Sequence, residues 1–231
     1  MLMTGRHPTH TGILLNFLEV PSNARGIAEV FREAGYRTAF MGKWHLAAGS
    51  HKEIWVGREG GSWEDALPFM EANPNYNYVP PGRARLGFSD WAAYNFHASY
   101  YAAPYYGNTP QQRIMKGYET DALTTMAIEY MEAARVDSEP FFLMVAPHPP
   151  HPPFSRAPQE FLKDVNPQLQ WNANVPEKYR KPRRATAAAR YYAMCKNADH
   201  NLGRILDYLE QSGLGEDTIV VFTSDHGEML G

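Results

Sequence analysis

One cysteine among 231 residues, Cys195, excludes an internal disulfide framework and a zinc site built on thiolates. It falls in a helical pattern and reads as a buried structural thiol. No apolar run is long enough to span a membrane. A signal-peptide pattern is also missing, which says nothing about compartment. Charge of neither sign dominates: 22 Lys and Arg face 25 Asp and Glu, a net of −3. Without a basic cluster a nucleic-acid partner is not expected. The densest basic stretch, Lys178 to Arg184, is short, broken by proline, and reads as a solvated loop. Internal repeats and low-complexity tracts are absent. What remains is 44% hydrophobic, enough to bury a sizeable core.

The periodicities predict helices and strands in alternation. Ser22 to Ala34 reads as a helix capped by Ser22 or Asn23, with Ile27, Val30 and Phe31 on one face and Gly35 at its end. Thr38 to Met41 follows as a short buried strand. Tyr118 to Arg135 carries Leu123, Met126, Ala127, Tyr130 and Met131 on one side of a second helix. Phe141 to Ala146 is a continuous apolar run suited to a strand buried on both faces. Thr186 to Ser212 is a long helix striped by Tyr191, Met194, Ala198, Leu202, Ile205, Leu206 and Leu209, and Thr218 to Phe222 a last buried strand. Such alternation implies an α/β fold with a mostly parallel sheet flanked by helices. Between about 51 and 112 the chain is rich in Gly, Pro, Asn and Tyr, and reads as an irregular insertion. Its aromatic cluster, Trp91 to Tyr106, suits either a local core or the lining of a cleft.

Polar clusters follow the strands: Lys43 and His45, then His148 and His151, then Asp225 and His226. Each pair alone is a commonplace loop or turn. In open α/β sheets, however, ligands bind beyond the carboxyl ends of the strands, so three such clusters predict one shared site. Its lysine suits oxyanions, its carboxylate a divalent cation, and its imidazoles proton transfer near neutral pH. Hard cations want several oxygen ligands, and Asp225 supplies one carboxylate. An obvious nucleophile is missing.

Gly35-Tyr36-Arg37-Thr38-Ala39-Phe40-Met41-Gly42-Lys43-Trp44-His45 resembles the second signature of the type I, formylglycine-dependent sulfatases, members of the alkaline phosphatase superfamily. Met3-Thr4-Gly5-Arg6 through Thr11-Gly12 resembles the tail of their first signature. Pro150-His151-Pro152-Pro153-Phe154 and Ile219 to Met229 resemble two further family segments, in family order. The resemblance implies an alkaline-phosphatase/sulfatase-like fold, with residues 1–231 forming part of an N-terminal catalytic domain that reads as cut at both ends. It implies hydrolysis of a sulfate monoester, with formylglycine made from a Cys or Ser expected upstream of Met1, and a divalent metal, Ca²⁺. Lys43 would contact sulfate oxygens, His45 the formylglycine hydroxyl, and His151 the bridging oxygen. Asp225 and His226 would ligate the metal. His148 reads as a loop histidine pointing away. Without the nucleophile, this stretch alone is expected to be inactive. The implied partners are a sulfated small molecule or carbohydrate and a formylglycine-generating or anaerobic maturation enzyme; a periplasmic or secreted location is expected. The alternatives are a phosphonate or phosphate ester hydrolase of the same superfamily, or a truncated sulfatase-like protein that binds without turnover.

Overall fold

Strand β1, Arg37–Lys43, is buried along its middle five residues, because the sheet is covered on both faces. Its side chains alternate between those faces. Ala39 and Met41 pack with Leu123, Ala127 and Tyr130. Phe40 points the other way, into Trp44, Phe88 and Trp91, with ring centroids 4.8, 5.3 and 5.4 Å from its own. Burying each such ring contributes about 2 kcal/mol or more, so β1 is the spine of both half-cores.

The computed structural model describes residues 1–14, 18–21, 23–47, 77–97, 99–163, 165 and 173–229. Within them, β1 lies between two parallel neighbours, β2 (Asp90–Tyr94) and β5 (Phe141–Ala146). Two short strands, β3 (Pro104–Tyr106) and β4 (Gln112–Ile114), extend the sheet antiparallel beyond β2. The order is β4-β3-β2-β1-β5, a mixed sheet with a parallel centre. The helices are α1 (Pro8–Thr11), α2 (Ile27–Glu33), α3 (Glu119–Asp137), α4 (Gln159–Leu162) and α5 (Pro182–Ser212); α2 and α3 pack on the sheet, α5 on α3, and α4 on α5.

Where β1 and β5 run together, only glycine fits. Gly42 has φ +109, and a Cβ there would meet the carbonyl oxygen of Ala146 at 2.2 Å. The approach sits one residue before Lys43.

Helix α5 is tied to α3 by polar contacts. Asp121 Oδ1 accepts from Asn197 and Asn201 at 2.8 and 2.6 Å, and both asparagines are buried. The predicted apolar stripe is therefore displaced: Leu206 is exposed while these asparagines are covered. Sequence periodicity counts apolar residues, and misses polar ones satisfied by a partner across a helix interface.

Other expectations need correction. Helix α2 starts later than expected, at Ile27, because Glu29 accepts the Gly26 N–H and caps it; Ser22 lies outside the described residues. Val30 is exposed, whereas Phe31 stacks on Phe142 at 4.3 Å. Residues 77–112 are not wholly irregular: they carry β2, β3 and the start of β4, while 51–76 fall outside the described residues. Most of the aromatics there are core, Tyr101 being exposed. Tyr94, Tyr100 and Tyr106 are fully buried, and Trp91 nearly so. Thr218 to Phe222 is not a strand. Ile219, Val221 and Phe222 are 91%, 77% and 72% exposed. The run has strand propensity, but among the described residues the ladder ends at β5, and propensity alone supplies no partner.

Candidate active site

Strands β2, β1 and β5 are parallel, so their carboxyl ends meet at one edge of the sheet. Lys43 is the last residue of β1. Pairing continues past it: Trp44 N–H donates to Tyr94 O at 2.8 Å and His45 N–H to Asn95 O at 3.0 Å. The Asn95 side chain then clamps Ala47 through both its N–H and its carbonyl, at 3.3 and 3.0 Å. With Trp44 buried as an anchor, Lys43 and His45 project from a fixed turn. His45 has φ +54, a left-handed conformation uncommon outside glycine.

A cleft of about 360 Å³ opens over this turn, lined by Lys43, His45 and Asp225 together with Ile13, Leu14 and Leu18. Burial holds the Lys43 ammonium below the usual lysine range, and the charges of Asp225 and Glu119 partly offset that effect. Asp225 and His226 are themselves exposed. The carboxylate Oδ1 accepts the His226 N–H at 2.9 Å, and the imidazole Nε2 stands 3.7 Å from Oδ2.

His151 comes from the proline-rich segment after β5. The Tyr100 hydroxyl lies 2.7 and 2.9 Å from the carbonyls of His151 and Pro152, and fixes that segment. His151 Nδ1 is 2.6 Å from the Pro152 carbonyl. A carbonyl only accepts, so Nδ1 carries the hydrogen and Nε2 is the nitrogen left to exchange a proton. Burial lowers the pKa of the ring, with the charges of Lys43 and His226 acting the same way and the Pro152 carbonyl opposing them. The structure thus brings Lys43, His45 and Asp225 into one cleft, with His151 and His226 within electrostatic reach.

Two further residues, Glu119 and His97, were not legible as site components, and His148, placed in a strand-end cluster by position, departs from the orientation the family register implied. His148, expected to point away as a loop residue, is buried at 4% exposure with its ring 4.6 Å from that of His151. The proline-rich run turns inward at this point, because the His148 N–H is bound by Glu119. Glu119 and His97 are buried beside it. A signal for Glu119 exists: it stands in helical register with Leu123, Ala127 and Met131, the buried stripe of α3. His97 follows β2, a strand hidden in the aromatic stretch.

As ligands for a divalent cation, Asp225 and His226 fit as part of a set, one hard carboxylate and one borderline imidazole. Among the described residues, no second carboxylate lines the cleft.

The sulfatase family model matches residues 1–231. An ulvan-active sulfatase of Formosa agariphila is 34% identical over 232 residues, covering the whole of this chain and 40% of that protein. Among solved structures, the Bacteroides thetaiotaomicron 4S-sulf protein, from a locus for the metabolism of multiple glycosaminoglycans, superposes with TM-score 0.79 at 24% identity. That match covers 99% of this chain and 48% of the other. A phosphonate monoester hydrolase of Silicibacter pomeroyi shares the fold at TM-score 0.61 and 19% identity, over 100% of this chain and 52% of its own. The chain spans less than half the length of the ulvan-active sulfatase it matches. With a family match over its full length and motif-bearing residues gathered at one sheet edge, this chain belongs to the sulfatase family.

Proposed function

We propose that the protein hydrolyses sulfate monoesters. The observation that carries this reading is the meeting of Lys43, His45 and Asp225 in one cleft, with His151 in electrostatic contact with Lys43. Lys43 binds sulfate oxygens as a compact point charge, and part-burial strengthens that attraction relative to water. His45, held in its left-handed turn, orients the nucleophile. His151 offers Nε2 to the bridging oxygen. As a neutral imidazole it cannot protonate a leaving alcohol, so substrate must bind with the ring protonated. The sulfate's negative charge favours that state by countering Lys43.

The family's formylglycine supplies the nucleophile, and we place it in a part of the protein outside this chain. A divalent cation, Ca²⁺ in our reading, supplies charge that polarises the sulfate, with Asp225 and His226 as its ligands here. The substrate is a sulfated carbohydrate or small molecule, the setting periplasmic or extracellular, and maturation needs a formylglycine-generating or anaerobic enzyme. No described helix is long and apolar enough to cross a membrane.

The full-length protein, co-expressed with a maturation enzyme, should be assayed on matched aryl sulfate, aryl phosphate and phosphonate monoesters. Sulfate is expected to give the highest kcat/KM. A preference for phosphonate would replace this reading with that of the phosphorus-ester hydrolases.

A further inference from the structure

Beneath the cleft lies a group that the mechanism above leaves unused. His97, Glu119 and His148 are 1%, 0% and 4% exposed, and one side-chain donor or acceptor atom from each lies within 4.8 Å of the others. Each comes from a different element: His97 from beyond β2, His148 from beyond β5, Glu119 from the first turn of α3. His97 Nε2, Glu119 Oε2 and both ring nitrogens of His148 make no hydrogen bond among the described residues. A fold does not bury such a set by default.

Two histidines and a carboxylate have the composition of a metal site, but the hydrogen bonding points elsewhere. His97 Nδ1 accepts the Ser99 N–H at 3.1 Å, so Nε2 carries the ring hydrogen. A ligating imidazole needs the opposite arrangement, with its second nitrogen donating outward.

What the group does touch is the support of His151. Glu119 Oε1 accepts from the His148 N–H at 2.9 Å and from the Tyr94 hydroxyl. The Glu119 backbone N–H donates to Tyr100 O at 2.9 Å. His148 in turn packs its ring against His151, and Tyr100 donates to the carbonyls of His151 and Pro152. His148 and Tyr100 also meet edge to face at 5.2 Å. Both neighbours that fix His151 are therefore anchored on one residue.

We propose that Glu119 is the positioning residue for His151: through His148 and Tyr100 its side chain and backbone aim the His151 ring at the leaving-group oxygen. The proposal rests on the sulfatase reading and on His151 as the proton donor of that reaction. It needs Oε1 as an acceptor, not a negative charge. Burial raises the Glu119 pKa to about 7, so the acceptor serves in both protonation states, and an amide oxygen supplies it equally.

The test is a series of aryl sulfates of rising leaving-group pKa, assayed with the full-length matured enzyme. Proton donation matters little for a nitrophenolate and much for a basic phenolate. A correctly aimed acid contributes about 10²-fold or more. In Glu119→Leu the kcat/KM ratio between the most acidic and the most basic phenol is expected to widen by about that factor, as in His151→Ala. Glu119→Gln should restore the wild-type ratio. Should Glu119→Leu fail to fold, Tyr100→Phe removes the hydroxyl from the same brace and should widen the ratio in the same direction. A parallel drop on every substrate, with the ratio unchanged, would make Glu119 merely structural and overturn the proposal. So would a metal ion retained by Asp225→Ala and lost in Glu119→Gln. If wild type cleaves no aryl sulfate, the sulfatase reading itself has failed, a result distinguishable from either.

Discussion

Replacing Gly42 with alanine tests the join between sheet and site most directly. Two costs arise. The backbone there holds φ +109, outside the left-handed basin that other residues visit, which costs about 1–3 kcal/mol. The new methyl also meets Ala146 O at 2.2 Å and Ala146 C at 2.7 Å. Those are backbone atoms of β5, so relief requires the strands to separate, an overpacking cost of about 1–3 kcal/mol. The sum is about 4 kcal/mol. Gly213→Ala is the matched control. It too has positive φ, +77, but nothing lies within 4 Å of its Cβ, so only the backbone cost of about 1–2 kcal/mol applies. Thermal melts of the two full-length variants should therefore differ by several degrees, with Gly42→Ala the lower. Surviving Gly42→Ala protein should also lose turnover, because separation of β1 from β5 moves Lys43 away from His151. Equal melting of the two variants would refute the close approach of β1 and β5 at the base of the site.

Three other outcomes are expected. Lys43→Met should lower kcat/KM for aryl sulfate by about 10²–10³ with an unchanged far-ultraviolet dichroism spectrum; a loss under tenfold would remove Lys43 from the oxyanion site. Asp225→Asn, stripped with chelator and titrated with Ca²⁺ while activity is followed, should need at least about tenfold more metal for half-maximal activity; an unshifted titration would remove Asp225 from the metal site. Glu119 titrates at about 7 against a usual value of 4.5, so the folded state holds its proton more tightly than the unfolded chain. Its contribution is intact below pH 4.5 and is lost progressively as pH rises to 7, by about 3 kcal/mol at 1.36 kcal/mol per unit. Denaturation curves of wild type should show that decline and those of Glu119→Gln should lack it; identical slopes would disprove the assignment.

Helices α2, α3 and α5 and strands β1 and β5 were legible because their residues follow a single rule. Phe141 to Ala146 is a continuous apolar run, and it is β5. Tyr118 to Arg135 repeats at helical period, and α3 spans Glu119–Asp137. Strand β2 was hidden because Asp90–Tyr94 has only five residues and its run Trp91-Ala92-Ala93-Tyr94 is apolar throughout, so no alternation marks it. The site divides in the same way. Lys43, His45, His151 and Asp225 sit beside recognisable motifs, whereas Glu119 and His97 are defined by what they pack against. A carboxylate such as Glu119 is neutral ground in a sequence until the fold removes its water.

The uncovered stretch Ile219-Val220-Val221-Phe222 has a practical consequence. It joins four consecutive apolar residues of high β propensity and no charge, all facing solvent at least in part. Among the described residues, strand β5 beside the site is also the last strand of its sheet, half-exposed along its length. Unpaired strand edges and uncharged apolar segments template pairing between chains. Protein produced with these surfaces bare would self-associate, and laboratory yields would depend on concentration and on temperature during expression. Expression of this protein should keep that segment covered, or place a lysine within it.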